Sequence, residues 1–147
     1  MKWYFASRTK QKESINRIVN FLKSQNHSVV YDWSKLDSLE PYQDNSDKCS
    51  NIANEISKAL LDTDIFVLIS DEGGTDMFIE LGIAIGKWLQ NKNIKIYAIG
   101  KFNNKSLMHY HPGIKRLNKL SDVFSIECPK LLTQGDAALL TSFDSYN

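Results

Sequence analysis

Twelve consecutive residues, Asp71-Glu72-Gly73-Gly74-Thr75-Asp76-Met77-Phe78-Ile79-Glu80-Leu81-Gly82, hold the groups of this chain best suited to chemistry. They follow the unbroken apolar run Ile65 to Ser70, the pattern of a strand covered on both faces. Two glycines turn the chain, and Met77, Leu81, Ala84, Ile85 and Trp88 then recur at helical spacing. Glu80 therefore stands near the head of a helix at the carboxyl end of a buried strand. In open α/β sheets that is where ligands bind, and the free N–H groups of a helix start favour anionic or hydroxyl-rich ones. The plainer reading of Glu80 is a favourable charge at the positive end of the helix dipole, worth roughly 0.3–1 kcal/mol.

The elements that must position these residues alternate strand and helix, as in a parallel sheet with crossover helices. A first strand is expected from Lys2 to Ala6, then a helix from Lys10 to Ser24, capped by Ser7 or Thr9, with Ile15, Ile18, Val19 and Leu22 inward. A second strand is expected from His27 to Trp33. The polar stretch Ser34 to Asp47 reads as a mobile lid, followed by a helix from Lys48 to Leu61. After the Glu80 helix, which runs to Gln90, comes a strand from Ile94 to Gly100 and a loop from Lys101 to Pro112. A fifth strand falls near Arg116 to Asn118 or at Val123 to Ile126, and Leu131 to Leu140 reads as helical. The fold class is α/β: one three-layer, flavodoxin-like or Rossmann-like domain over residues 1–147, with a five-stranded parallel sheet.

Composition narrows the partners. A chain of 147 residues, 42% hydrophobic, is long enough for one well-buried domain and short for two. Its 18 basic and 17 acidic residues leave a net charge of +1, which gives no electrostatic reason to bind nucleic acid. Cys49 and Cys128 are far apart and fit neither a disulfide framework nor a zinc site, so a reducing cytoplasm and no metal are expected. No apolar run is long enough for a signal segment or a membrane span.

At this level of detail the residues resemble the nucleoside 2-deoxyribosyltransferase-like proteins, a family that includes deoxynucleoside monophosphate N-glycosidases. Trp3-Tyr4-Phe5-Ala6-Ser7 resembles the family's opening strand, and Asp64 through Ser70-Asp71-Glu72, Gly74-Thr75 and Glu80-Leu81-Gly82 its central strand, glycine turn and helix start. Ser106-Leu107-Met108 resembles the loop that reaches across a dimer interface, and Tyr31-Asp32-Trp33 and His109-Tyr110-His111-Pro112-Gly113 resemble features of uncharacterised prokaryotic members. The resemblance covers about the first 115 residues.

The resemblance implies cleavage or transfer at the N-glycosidic bond of a nucleoside or nucleotide, with Glu80 as nucleophile, no cofactor, and a homodimer or higher homo-oligomer. A carboxylate beneath C1′ stabilises the charge that develops there or bonds to it. Tyr4, Ser7, Trp33, Gly73, Gly74, Thr75, Ser106 and Met108 would bind substrate. Asp71 and Glu55 are the candidates for a second carboxylate that orients the nucleophile or protonates the base, Glu55 being about one position out of register with the family's aspartate. Asp64 stands at the amino end of the central strand, across the sheet from Glu80. The chain has Gly74 six positions before Glu80, where relatives acting on free nucleosides carry an acid and monophosphate-cleaving ones a serine. With Thr75, Ser106, Ser7, Arg8 and Lys10 nearby, that edge suits a phosphate better than a bare hydroxyl. The absence of an amide at Ser106 leans toward hydrolysis; some transferases of the family use a C-terminal aromatic carboxylate in the pocket, and the sequence here ends in Tyr146-Asn147.

Each residue also has a plainer account. Tyr4 and Trp33 serve equally as core aromatics, and Gly82 and Gly86 as a close-packing pair against the sheet or a partner helix. His109 and His111 read as surface or interface contacts, and Lys115, Arg116 and Lys119 as a solvated face. Two other functions stay open: a TIR-like NAD glycohydrolase, whose glutamate also follows a parallel strand in a flavodoxin-like sheet, and a nucleotide-sensing module without catalysis.

Overall fold

Alternation along the central strands decides the layering. In the computed structural model, which describes residues 1–133, β1 (Lys2–Ala6), β3 (Ile65–Ile69) and β4 (Lys95–Ile99) are buried along almost their whole length. Successive side chains of a strand point to opposite faces. Trp3, Phe5, Ile65, Val67, Ile69, Tyr97 and Ile99 join one core with Ile15, Ile18, Val19 and Leu22 of α1 (Lys12–Ser24) and Leu120, Val123 and Phe124 of α4 (Leu120–Glu127). Tyr4, Ala6, Phe66, Leu68, Ile96 and Ala98 join the other, with Leu60 of α2 (Ser46–Leu61) and Met77, Leu81, Ala84 and Ile85 of α3 (Asp76–Asn91). The result is three layers.

With β2 (Ser28–Val29) and β5 (Ile114–Leu117), the sheet has five parallel strands in the order β2-β1-β3-β4-β5. That is the flavodoxin-like order, whose direction of winding reverses between β1 and β3. The carboxyl ends of these two strands are the natural site for a ligand. At the opposite edge the chain is tied by polar bonds: the Lys2 backbone N–H donates to Asp64 (2.9 Å), Lys2 Nζ pairs with Asp62 (2.8 Å), and Lys95 Nζ pairs with Glu127 (2.8 Å). Buried Lys87 of α3 also donates to the Thr63 carbonyl there.

Several expectations need correction. The second strand stops at Val29 instead of reaching Trp33, because the Trp33 indole N–H donates to the Phe5 carbonyl (2.7 Å) and draws the chain across the end of β1 into a 3₁₀ turn, Trp33–Lys35. The first helix begins at Lys12 after a 3₁₀ turn, Thr9–Gln11, with no side-chain cap; Ser7 Oγ instead donates to the Arg8 carbonyl. Within the stretch expected to be a lid, Ser34 is buried, Lys12 Nζ donates to the Leu36 carbonyl, and Tyr42–Asn45 form a 3₁₀ turn. Val123 to Ile126 belong to α4, where Leu120, Val123 and Phe124 share one buried face, so β5 is the strand just before it. A Cβ at Gly82 or Gly86 would meet nothing within 4 Å, so this pair does not pack on the sheet. Of the expected Leu131–Leu140 helix, Leu131 and Leu132 lie in a 3₁₀ turn; residues 134–140 and the Tyr146-Asn147 tail fall outside the described residues. Among the described residues no helix is long and apolar enough to cross a membrane.

Candidate active site

The turn from β3 to α3 is built around Asp71. Its carboxylate accepts the backbone N–H of Glu72 (2.7 Å) and Gly73 (3.5 Å) and pairs with Lys10 (2.6 Å) and Arg8 (3.4 Å) from the turn after β1. Burial alone would raise its pKa, but the Lys10 hydrogen bond and the two backbone donors together hold it below the usual carboxylate range. Asp71 is thus an ionised anchor joining two loops. An ionised Asp71 is a poor fit to proton donation, one of the two roles that the resemblance implies for it, and the orienting role does not require a proton. Gly74 then adopts φ of 117°, a conformation that side chains resist, and a Cβ there would also press on Met77 at 3.0 Å. Gly74→Ala should lower stability by about 1–3 kcal/mol, read as a fall in Tm.

Helix α3 starts as the Thr75 carbonyl accepts from Phe78 and Ile79 (3.1 and 3.2 Å), with Thr75 itself exposed. Glu80 is partly buried beside the inward Met77 and Leu81. Burial pushes its pKa up, a hydrogen-bonding pull from Tyr4 opposes this, and the charge of Asp76 pushes further, to about 7. Tyr4 is fully buried on β1 and stacked on Phe66 at 5.9 Å. Its phenol makes no hydrogen bond of ordinary geometry, although it stands near enough to Glu80 for each to act on the other. Burial, then the Glu80 charge, push the Tyr4 pKa upward. A buried donor without a full partner beside a carboxylate that titrates near neutrality is the arrangement expected of a reactive centre.

Asp76 escaped the sequence reading. It lies one helical turn before Glu80, and that i, i+4 spacing was the available signal. Because its charge raises the pKa of Glu80, Asp76→Asn should let Glu80 ionise at lower pH. The acid limb of any Glu80-dependent activity then moves to lower pH, as a pH–rate profile would record.

The remaining expected residues fall into four groups. Trp33, partly buried, packs against both cores at the carboxyl end of β1. Ser7 lies in the turn after β1, and Gly73 lies against the Arg8 guanidinium: a Cβ there would be 3.7 Å from it. Glu55 is exposed on α2 and accepts from the Tyr31 phenol (3.5 Å), with no contact to Glu80. Ser106 and Met108 lie in the loop after β4, with Leu107 86% and Met108 45% exposed.

His109 corrects the surface reading, being fully buried with Nε2 3.2 Å from Ser70 Oγ and Nδ1 3.1 Å from the Ser106 amide nitrogen. His111 accepts from the Gly113 N–H (3.0 Å) and meets the Trp88 ring edge-on. Lys115, Arg116 and Lys119 are exposed, as expected of a solvated face, and Arg116 lies over the exposed Tyr110 ring at 4.0 Å.

The chain matches no protein-family model and no curated protein sequence. Its fold is similar to that of a Clostridium botulinum CMP N-glycosidase, BcmB. The likeness covers 80% of this chain and 88% of that one, at 17% identity and a TM-score of 0.53. At that identity it speaks for the fold, and it agrees with the resemblance drawn from the sequence.

Proposed function

We propose that the protein cleaves the N-glycosidic bond of a nucleoside or nucleoside 5′-monophosphate, with Glu80 as nucleophile. The observation that carries this reading is Glu80 itself, a carboxylate raised to about 7 beside the buried, unpartnered Tyr4 phenol at the carboxyl end of the sheet. In its ionised form Glu80 bonds to C1′ as the C1′–N bond breaks, and the departing base takes up a proton. Water then attacks C1′, loses its proton, and frees Glu80, so that base and sugar are the products. Tyr4 steadies the ionised carboxylate.

A monophosphate fits better than a free nucleoside. Arg8 and Lys10 bring two cations to the turn through Asp71, and the Arg8 guanidinium stands next to Gly73. The N–H groups at the start of α3 add further donors. The similar fold of a CMP N-glycosidase supports the same substrate class. The exposed Leu107, Met108 and Tyr110 support a homodimer in which this loop meets a second copy.

The test is a panel of deoxynucleosides, their 5′-monophosphates, ribonucleotides and NAD, with and without an acceptor base, followed by chromatography for released base. Base released from a monophosphate and lost on substitution of Glu80 supports the reading. Release from NAD would move the protein to the TIR-like glycohydrolases, and binding without release would make it a sensor.

A further inference from the structure

His109 is fully buried yet takes no part in the chemistry proposed above. Its contacts join three elements of the site. The Ser106 backbone N–H points at Nδ1 (3.1 Å), Ser106 Oγ lies at the same distance from that nitrogen, and Nε2 lies 3.2 Å from Ser70 Oγ at the end of β3. The ring also meets Phe78 of α3 edge-on at 5.9 Å, two residues before Glu80.

These contacts fix the tautomer. A backbone N–H only donates, so Nδ1 must carry a lone pair and the single ring proton sits on Nε2, donated to Ser70 Oγ. A second proton, on Nδ1, would face the Ser106 N–H and break that bond. From β5 the cation of Arg116 acts on the ring, while α3 offers the neutral Phe78 and β3 the Ser70 hydroxyl. Burial first, then Arg116, disfavour the protonated form.

We propose that His109 is a positioning residue: as the neutral Nε2–H imidazole it fastens the Ser106–Tyr110 turn to the carboxyl end of β3 and so sets where Ser106 and Met108 stand relative to the β3–α3 turn. Ser106 and Met108, expected to bind substrate, flank the Leu107 position of that turn and move with it. Their effect on substrate rests on the proposed function; the latch itself does not.

Two isosteric variants divide the contacts. His109→Asn keeps an acceptor in the place of Nδ1, and His109→Gln keeps a donor in the place of Nε2. Ring ¹⁵N–¹H correlations and amide hydrogen exchange would be recorded on the full chain from pH 8 to pH 4.5. The expected result is an Nε2–H tautomer, with the Ser106 amide exchanging at least about tenfold faster in His109→Gln than in wild type or His109→Asn at pH 7.5. Once His109 is protonated, the wild type should match His109→Gln. An Nδ1–H tautomer, or Ser106 exchange indifferent to His109, overturns the proposal.

The functional arm measures cytidine 5′-monophosphate binding in Glu80→Gln, where Glu80 no longer titrates. Affinity should fall at least threefold as His109 protonates, beyond any fall seen in Glu80→Gln/His109→Asn. A fall of equal size in both would overturn the positioning role. Failure of either protein to bind CMP would count against the proposed substrate and leave the exchange result to decide the latch.

Discussion

Glutamine in place of Glu80 should remove base release by roughly 10³-fold or more while making the folded protein more stable at pH 8. The loss follows from chemistry: a carboxamide is a poor nucleophile and carries no charge to set against a developing cation. The gain follows from linkage. The folded-state pKa of Glu80 lies at about 7, above the ordinary value of 4.5, so folding favours its protonated form. As pH rises through 4.5 the unfolded chain ionises this group while the folded chain resists, and stability is lost until pH passes 7. A rise of that size corresponds to roughly 3 kcal/mol, or about 2–3 kcal/mol allowing for partial exposure. Thermal or urea unfolding of the two proteins should coincide near pH 4 and diverge across this window. Equal stability at pH 8 would mean that Glu80 is well solvated, and would remove the main ground for reading it as a reactive group.

Tyr4→Phe should give a second such opposition. The phenol is buried and lacks a hydrogen bond of ordinary geometry, so removing it relieves an unsatisfied group and should stabilise the fold by about 1–2 kcal/mol near pH 4, where Glu80 is protonated, with stacking on Phe66 kept and the gain shrinking as Glu80 ionises. Activity should fall about 10- to 100-fold at neutral pH. The reason is the pull of Tyr4 on Glu80, which lowers the pKa of the carboxyl. Without it Glu80 ionises at higher pH, and the acid limb of the profile moves up, opposite to the shift expected for Asp76→Asn. A core aromatic with no role at the site would change the melting curve and leave the profile in place.

What the sequence made legible was periodicity. The apolar run at Ile65 and the stripe Met77, Leu81, Ala84 and Ile85 on α3 specified the β3–turn–α3 unit and put Glu80 at its mouth. Periodicity fails where a single polar bond decides the local path. His27 to Trp33 reads as strand, but beyond Val30 an indole-to-carbonyl bond from Trp33 carries the chain across the end of β1. Val123 to Ile126 is too short for its apolar pattern to separate strand from helix, and packing against Trp3 settles the matter for Phe124. His109 looked like surface because it lies in a polar loop; its burial depends on Ser70, thirty-nine positions away. Asp71 was found by its place in the motif, but its charge state depends on Lys10 and Arg8, which only the β1–β3 pairing brings near.

The polar ties at the amino edge of the sheet, from Lys2 to Asp62 and Asp64, Lys87 to Thr63, and Lys95 to Glu127, have a counterpart in what the other edge is free to do. These ties hold the sheet from the side where no ligand is expected, so exposed residues at the carboxyl edge can vary around the Asp71 anchor and the His109 contacts without loosening the sheet. New substrate preference should therefore be sought by varying Thr75, Asp76, Ser106 and Met108 while the lysine ties, the Asp71 anchor and His109 are left intact.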